Sequence, residues 1–456
     1  MGKIAPVLCP LFNLFVVNLH KIKDTTMKHQ FFFSMLLSTV AALSSLAGVK
    51  EDFKADIKTC ANNYWAYPDQ ELPALTPAPD GYEPFFMNHY GRHGSRWLIG
   101  KWAYDYPVEQ LEKGERNGKL TKRGKEVLDI LRQVRLDAQG RDGELSDIGA
   151  EQHQRIARRM YKNFPQIFAG NAPVRARSTI VIRCILSMQN EVDMLKSLNP
   201  DLNITTDASH AEMYYMNYDD PAVKPLREEA YKYFDAYREK HVKTDGTLKR
   251  LFTDKKFTRD SIENFKFVNA LFDVVCNMQS HHAYDNVNLY DLFSLDEAVA
   301  LWSYNNVRWY IYSGETPLTK CRVDFMEANL VRSFIEDADH AINQGGNSAS
   351  LRFGHESVVL PLVCLMGING MDYQTTDLDH LSDHWRSYEV FPMACNVQMV
   401  YYRNAQDDVL VKVLLNEREA TLPVKTDMAP YYRRIDVRDY LLDKLSRQPY
   451  IPSIIQ

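Results

Sequence analysis

An α/β protein interrupted by a long helical stretch is what this sequence predicts. Three observations carry that reading. Up to about residue 204, short apolar strand-like runs alternate with helical periodicity. From about 205 to 345 the pattern is charged, aromatic and helical. After a break at "NQGGNSAS" (343–350), short apolar strands return with one buried helix among them.

The elements follow in chain order. Residues 27–47 read "MKHQFFFSMLLSTVAALSSLA": Lys28 and His29 form a basic start, Phe31 to Leu46 is apolar, and Ser45-Leu46-Ala47 is a small-residue cleavage signal. The expectation is a signal peptide ending near Ala47, with Met27 as an alternative start to Met1. The apolar run is short for a membrane anchor. Pro84-Phe85-Phe86-Met87 continues into "MNHY", a strand ending at Tyr90 that runs into a loop at Gly91 and Gly94. Residues 147–164 are helical, with Ile148, Ile156, Met160 and Phe164 recurring and Ser146 as the cap. "PVRARST" (173–179) reads as a strand, and 183–198 as a helix with Leu186, Val192 and Leu195 inward. The helical stretch includes "LDEAVALWSYNNVRWYIYSG". Beyond it, "LRFGHE" is a strand with Leu351 and Phe353 on one face, and "SVVLPLVCLMG" a buried helix stopped by Gly367. "VQMVYYR" and "DVLVKVLLN" alternate like strands. The organisation expected is 48–204 and 346–456 as two segments of one α/β domain, with 205–345 as an inserted, mostly α-helical domain.

Composition excludes some functions. The 456 residues are 45% apolar and 25% charged, as in a soluble globular protein. Net charge is −5; without residues 1–47, which hold Lys3, Lys21, Lys23, Lys28 and Asp24, it becomes about −8. An acidic protein is a poor general ligand for nucleic acid. Of seven cysteines, Cys60, Cys184, Cys276, Cys321, Cys364 and Cys395 lie beyond residue 47. No CxxC occurs, which argues against a zinc ribbon or thioredoxin-type site. Cys184 and Cys364 lie in apolar runs and read as buried thiols; the spacing of the others does not pair them.

The chemistry concentrates at strand ends. "NHYGRHGSRWL" places His93 between Arg92 and Arg96; "RARSTIVIR" holds Arg177 and Arg183; His355 and Glu356 follow "LRFG". Ligands of open α/β sheets sit beyond the carboxyl ends of strands. Grouped guanidinium forks suit an anion with several oxygens, above all a phosphoryl group. A histidine among arginines is a poor metal ligand but a serviceable nucleophile, and Glu356 is placed to be a proton donor. An isolated "RHG" would suit a solvated loop equally well; three such clusters do not.

These motifs resemble the histidine acid phosphatases. "RHGSR" is similar to the RHGxR signature, "RSTIVIRCILS" to the second phosphate-pocket motif, "ELSDIGAEQH" to the L-T/S-x-x-G helix start and "FGHESVVLPLVCLMG" to the C-terminal motif, in order from about residue 82 to 456. The resemblance implies a phosphoglycerate-mutase-like α/β domain with a central mixed sheet flanked by helices. It implies that His93 becomes phosphohistidine, that Arg92, Arg96, Arg183 and His355 hold the phosphoryl oxygens, and that Glu356 protonates the leaving alkoxide, with no metal or cofactor. Two departures stand out. The proline of RHGxRxP is missing, and His355-Glu356-Ser357 replaces the family's His-Asp or the His-Ala-Glu of the multiple inositol polyphosphate phosphatase branch. The surrounding "FGH" and "LPLVCLMG" are similar to that branch. The expected function is an exported, periplasmic or secreted phosphatase acting on small phosphate esters such as phytate, with no stable membrane insertion after signal removal. The alternatives are a non-catalytic phosphate-ligand binding protein and a phosphoglycerate-mutase-like phosphotransferase. Lys101, Lys113, Arg116, Lys119, Lys122 and Arg123 suit either distal phosphates or a solvated face. His281-His282, lacking a third ligand, reads as a surface pair.

Overall fold

The computed structural model describes residues 48–69, 71–217 and 219–447; the expected signal peptide lies outside them. The described residues from 52 to 447 belong to one compact unit. Strands β1 (Glu83–Arg92), β2 (Pro173–Ser178), β3 (Asn203–Asp207), β4 (Ser348–Gly354), β5 (Asn396–Arg403), β6 (Val409–Leu415), β7 (Arg418–Ala420) and β8 (Tyr431–Arg433) make one sheet in the order β3-β2-β4-β1-β5-β6-β7, with β8 also on β6. The β1–β4, β2–β4 and β2–β3 pairs are parallel, whereas β5 and β6 run antiparallel. The sheet is therefore mixed.

Helices α1 (Trp102–Arg116), α2 (Lys122–Asp137), α3 (Asp147–Asn163) and α4 (Ile182–Leu198) precede β3. Between β3 and β4 lie α5 (Lys224–His241), α6 (Asp245–Leu251), α7 (Lys255–Ser261), α8 (Asn264–Asn277), α9 (Leu295–Ser313) and α10 (Ala328–Gln344). After β4 come α11 (Glu356–Met366) and α12 (Arg434–Ser446).

Both sheet faces are covered. Met87, Leu351, Phe353, Val400 and Leu414 share a core with Ile156, Met160, Met188 and Leu195 of α3 and α4. Phe86, Val397, Met399, Val411 and Val413 pack with Phe334 of α10, Val359 and Leu362 of α11 and Leu441 of α12. Strands buried on both sides carry apolar residues at every position. This corrects the alternating reading of "DVLVKVLLN": all of β6 is buried, Lys412 included, and its ammonium pairs with Glu419 at 2.7 Å. Leu186 is also corrected. It is 41% exposed, because the buried stripe of α4 runs through Cys184, Met188, Val192 and Leu195, and Leu186 lies off it.

Local chemistry explains the ends of several elements. Ser146 caps α3 by accepting from the Gly149 N–H, and Gly367 ends α11 at φ +65, a left-handed conformation that glycine adopts without penalty. Ser294 and Glu297 form a capping box on α9, and Glu297 also accepts from Thr247 N and Arg250, tying α9 to α6. Although α1 and α2 precede β2, they pack on the helices that follow β3. A Cβ on Gly124 would lie 2.2 Å from the Leu251 carbonyl oxygen, so the α2–α6 approach requires glycine.

Candidate active site

Register brings the motifs together. Arg92, the last residue of β1, sits opposite Gly354, the last of β4, and Ser178 of β2 sits opposite Phe353. His93, Thr179 and His355 therefore leave three adjacent parallel strands at one edge. The Gly354 of "FGH" is sterically required: a Cβ there would lie 1.9 Å from the Tyr90 hydroxyl, which donates to the Met216 carbonyl.

The histidine signature is fixed by α3. Ser95 N donates to Gln152 Oε1 at 2.8 Å, Gln152 Nε2 donates back to Ser95 Oγ at 3.0 Å, and Ser146 N and Oγ both donate to the Ser95 carbonyl. Gly94 and Gly149 touch so closely that a Cβ on either would fall 2.3 or 2.2 Å from the other segment's carbonyl oxygen. "RHGSR" and "ELSDIG" thus form one interlocked unit.

His93 is fully buried. Its Nδ1 lies 2.9 Å from the Gly94 carbonyl. A carbonyl only accepts, so Nδ1 carries the proton and Nε2 keeps its lone pair. Nε2 has no protein hydrogen-bond partner and stands 3.7 Å from Glu356 Oε2. Burial, then Arg92, Arg96, Arg183 and His355, hold His93 well below the ordinary histidine range. It is a neutral imidazole with a free, pre-oriented lone pair, chemically capable of nucleophilic attack.

Cations surround it. Arg92 Nη1 donates to the Asn63 and Phe391 carbonyls, its Nε faces Glu356 Oε2 at 3.0 Å outside hydrogen-bond angles, and Nη2 has no partner. The buried Nε atoms of Arg96 and Arg183 also lack partners. His355 lies edge-on to His93, ring centroids 5.7 Å apart, and shares a 3.2 Å hydrogen bond with Thr179. Burial lowers His355 to about 4. Burial pushes Glu356 up, but Arg92, then Arg96 and His355, outweigh it and hold the carboxyl at about 2. Nitrogen and oxygen atoms of His93, His355 and Glu356 come within 4.8 Å of one another. With arginines on several sides, this arrangement favours an anion over a cation.

All six residues expected from the sequence meet here: His93, Glu356, Arg92, Arg96, Arg183 and His355. Arg177 does not join them, since its guanidinium turns back to the Ala176 carbonyl. Sequence reasoning missed the 3₁₀ segment Ile57–Tyr64. Asn63 accepts from Arg92 through its carbonyl and donates to Glu356 Oε1 at 3.2 Å, and the Arg96 guanidinium lies 5.7 Å from the Tyr64 ring centre. Nothing in "TCANNYW" signals this, because the contacts span some thirty to three hundred residues. Much of the basic stretch after the loop is engaged elsewhere: Lys113 donates to the Ser261 carbonyl, Lys119 pairs with Asp254 and Arg123 with Asp291. His281 is no surface residue; it is buried, stacked on Trp97 at 3.8 Å, while His282 is exposed.

The family model described as histidine phosphatase superfamily (branch 2) matches residues 91–416. The chain belongs to this family. It is a phosphomonoester hydrolase of the histidine phosphatase superfamily, and its sheet and flanking helices are that fold. Among solved structures, the multiple inositol polyphosphate phosphatase of Bifidobacterium longum in complex with phosphate superposes with TM-score 0.70 at 17% identity, covering 84% of this chain and 97% of that one. Its complex with inositol hexasulfate gives 0.68, at the same identity and coverage. The phytase from D. castellii gives 0.60 at 13% identity, covering 86% and 85%. At such identities the likeness is one of fold. No curated protein matches the sequence.

Proposed function

We propose that this histidine phosphatase hydrolyses phosphomonoesters of the inositol polyphosphate class through a phosphohistidine at His93, and that it acts after export. The carrying observation is the set of buried donors without protein partners, Arg92 Nη2, Arg96 Nε and Arg183 Nε, around the His93 Nε2 lone pair. In this mechanism Nε2 attacks phosphorus in line while the ester P–O bond breaks. The arginines and His355 hold the non-bridging oxygens as charge develops. Glu356 delivers a proton to the leaving alkoxide, and water then releases phosphate from His93. The free Glu356 is ionised, so the proton arrives with the substrate. A bound phosphoryl group offsets the arginines that hold the carboxyl down, and Glu356 then takes the proton that a phosphate monoanion brings.

Support for the inositol class is the resemblance of "FGH" and "LPLVCLMG" together with the shared fold. Support for export is the leader-like pattern of residues 27–47; no helix among the described residues is long and apolar enough to cross a membrane. A second substrate class, aryl or alkyl monophosphates, is favoured by one observation. Ile99, Ile180 and Ile182 are 60%, 41% and 73% exposed, Ile180 and Ile182 lie just before Arg183 in sequence, and Ile99 and Arg183 both approach Gly143. A panel of phytate, a sugar phosphate and p-nitrophenyl phosphate separates them. Highest kcat/KM on phytate is expected; turnover of the aryl ester alone overturns the inositol reading. Alkaline quenching during turnover should trap phosphate on the peptide bearing His93, and label elsewhere overturns the nucleophile.

A further inference from the structure

The segment Ile57–Tyr64 reaches into the site under strain. Asn62 adopts φ 58, ψ −126, a conformation that costs a side-chain-bearing residue free energy and persists only where its surroundings impose it. Its Oδ1 accepts from the Ser387 hydroxyl. The next two residues are Asn63, between Arg92 and Glu356, and Tyr64, under Arg96. Two residues before Asn62, Cys60 is fully buried, and so is Cys276 on α8, 1% exposed. The Ile57–Tyr64 segment packs against α8, and the Cys60 thiol and the Tyr290 hydroxyl both act on Cys276. Gln279 braces the same junction: its Oε1 accepts from Ala66 N at 3.0 Å, and its Nε2 donates to the Cys276 carbonyl and to Tyr290 Oη. In the structure both cysteines are thiols.

We propose that Cys60 and Cys276 form a disulfide in the exported protein, clamping the segment that carries Asn63 and Tyr64 onto α8. The clause about export rests on the function proposed above; the pairing rests on the packing. The reaction is thiol–disulfide exchange with an oxidised glutathione or protein disulfide: one thiolate attacks, a mixed disulfide forms, and the second thiol displaces it. Two electrons and two protons pass to the oxidant. Burial and the Cys60 thiol push Cys276 well above the usual thiol range, so the bond would form slowly and resist attack once made. It would close a loop of more than two hundred residues, a span for which cross-linking strongly restricts the unfolded chain. It would also hold the strained turn at Asn62 against a rigid helix.

The test uses the purified full chain, before and after equilibration with oxidised glutathione. Thiols are titrated in denaturant, peptides are mapped without reduction, and Tm and kcat are measured on each form. The expected result is loss of two thiols, a cross-linked peptide pair containing Cys60 and Cys276, and a Tm higher by several degrees, about 5 °C. Cys60→Ser should abolish the cross-link and the gain. Both cysteines remaining free after oxidation, a cross-link to a different cysteine, or equal Tm in the two forms overturns the proposal. Failure of the phosphatase reading shows separately, as absent turnover in oxidised and reduced protein alike.

Discussion

Burial and neighbouring charge assign each side chain proposed to be catalytic a protonation state before substrate arrives. His93 is neutral with its lone pair free, and Glu356 is ionised against Arg92. Glu356→Gln should then separate substrates by leaving group. An inositol alkoxide needs a proton as it departs and a nitrophenolate needs far less, so kcat on phytate should fall roughly 10²- to 10⁴-fold, and on p-nitrophenyl phosphate much less. Arg183→Ala should hurt both alike, since both share the phosphoryl group. Equal losses for Glu356→Gln would remove it as the donor and leave it as Arg92's counter-ion. For His93→Ala, turnover should vanish, and because the side chain is fully buried its removal leaves a cavity, so the variant should also lose a few degrees of Tm.

The loop after β1 and the first turn of α3 behave as one element. Their contact depends on two glycines with no room for a methyl group. Gly149→Ala should therefore push the Ser95 carbonyl away and carry His93 with it, cutting kcat/KM more than tenfold and lowering Tm, both measurable on purified protein. Gln152→Ala should act through polar satisfaction instead. It strands the buried Ser95 N–H at a cost of about 1–3 kcal/mol, read by chemical denaturation. A kcat/KM for Gly149→Ala within twofold of the parent would mean the loop holds its place without α3.

Across the molecule, two sets of buried groups titrate in opposite senses. Burial holds His89 and His281 at about 3 and His355 at about 4. The unfolded chain binds protons at these sites from about pH 6.5 downward, so they withdraw stability as pH falls from 6.5 toward 4. Asp324 and Glu327 are raised well above the usual range by burial; they contribute stability at low pH that is lost as pH rises. Chemical denaturation between pH 4 and 7 should show wild type losing ground to His89→Asn as pH drops, by up to about 1.4 kcal/mol per unit. Asp324→Asn should gain on wild type as pH rises. Parallel curves in either comparison would refute the assignment for that residue.

The strand-end motifs, the capped α3, the buried α11 with its Gly367 stop and the six candidate site residues that meet in the fold were all legible in the sequence by itself, because each is written in a short stretch: a periodicity, a cap, or arginines beside a histidine. The face assignment of Leu186 and the burial of His281 and Lys412 were not, since burial depends on what packs opposite. The recruitment of Asn63 and Tyr64, the meeting of Cys60 with Cys276 and the loss of Lys119 and Arg123 to acidic partners were decided only by the tertiary structure. Their partners lie over a hundred residues away in most cases, and no local pattern encodes a contact made by a chain that folds back on itself.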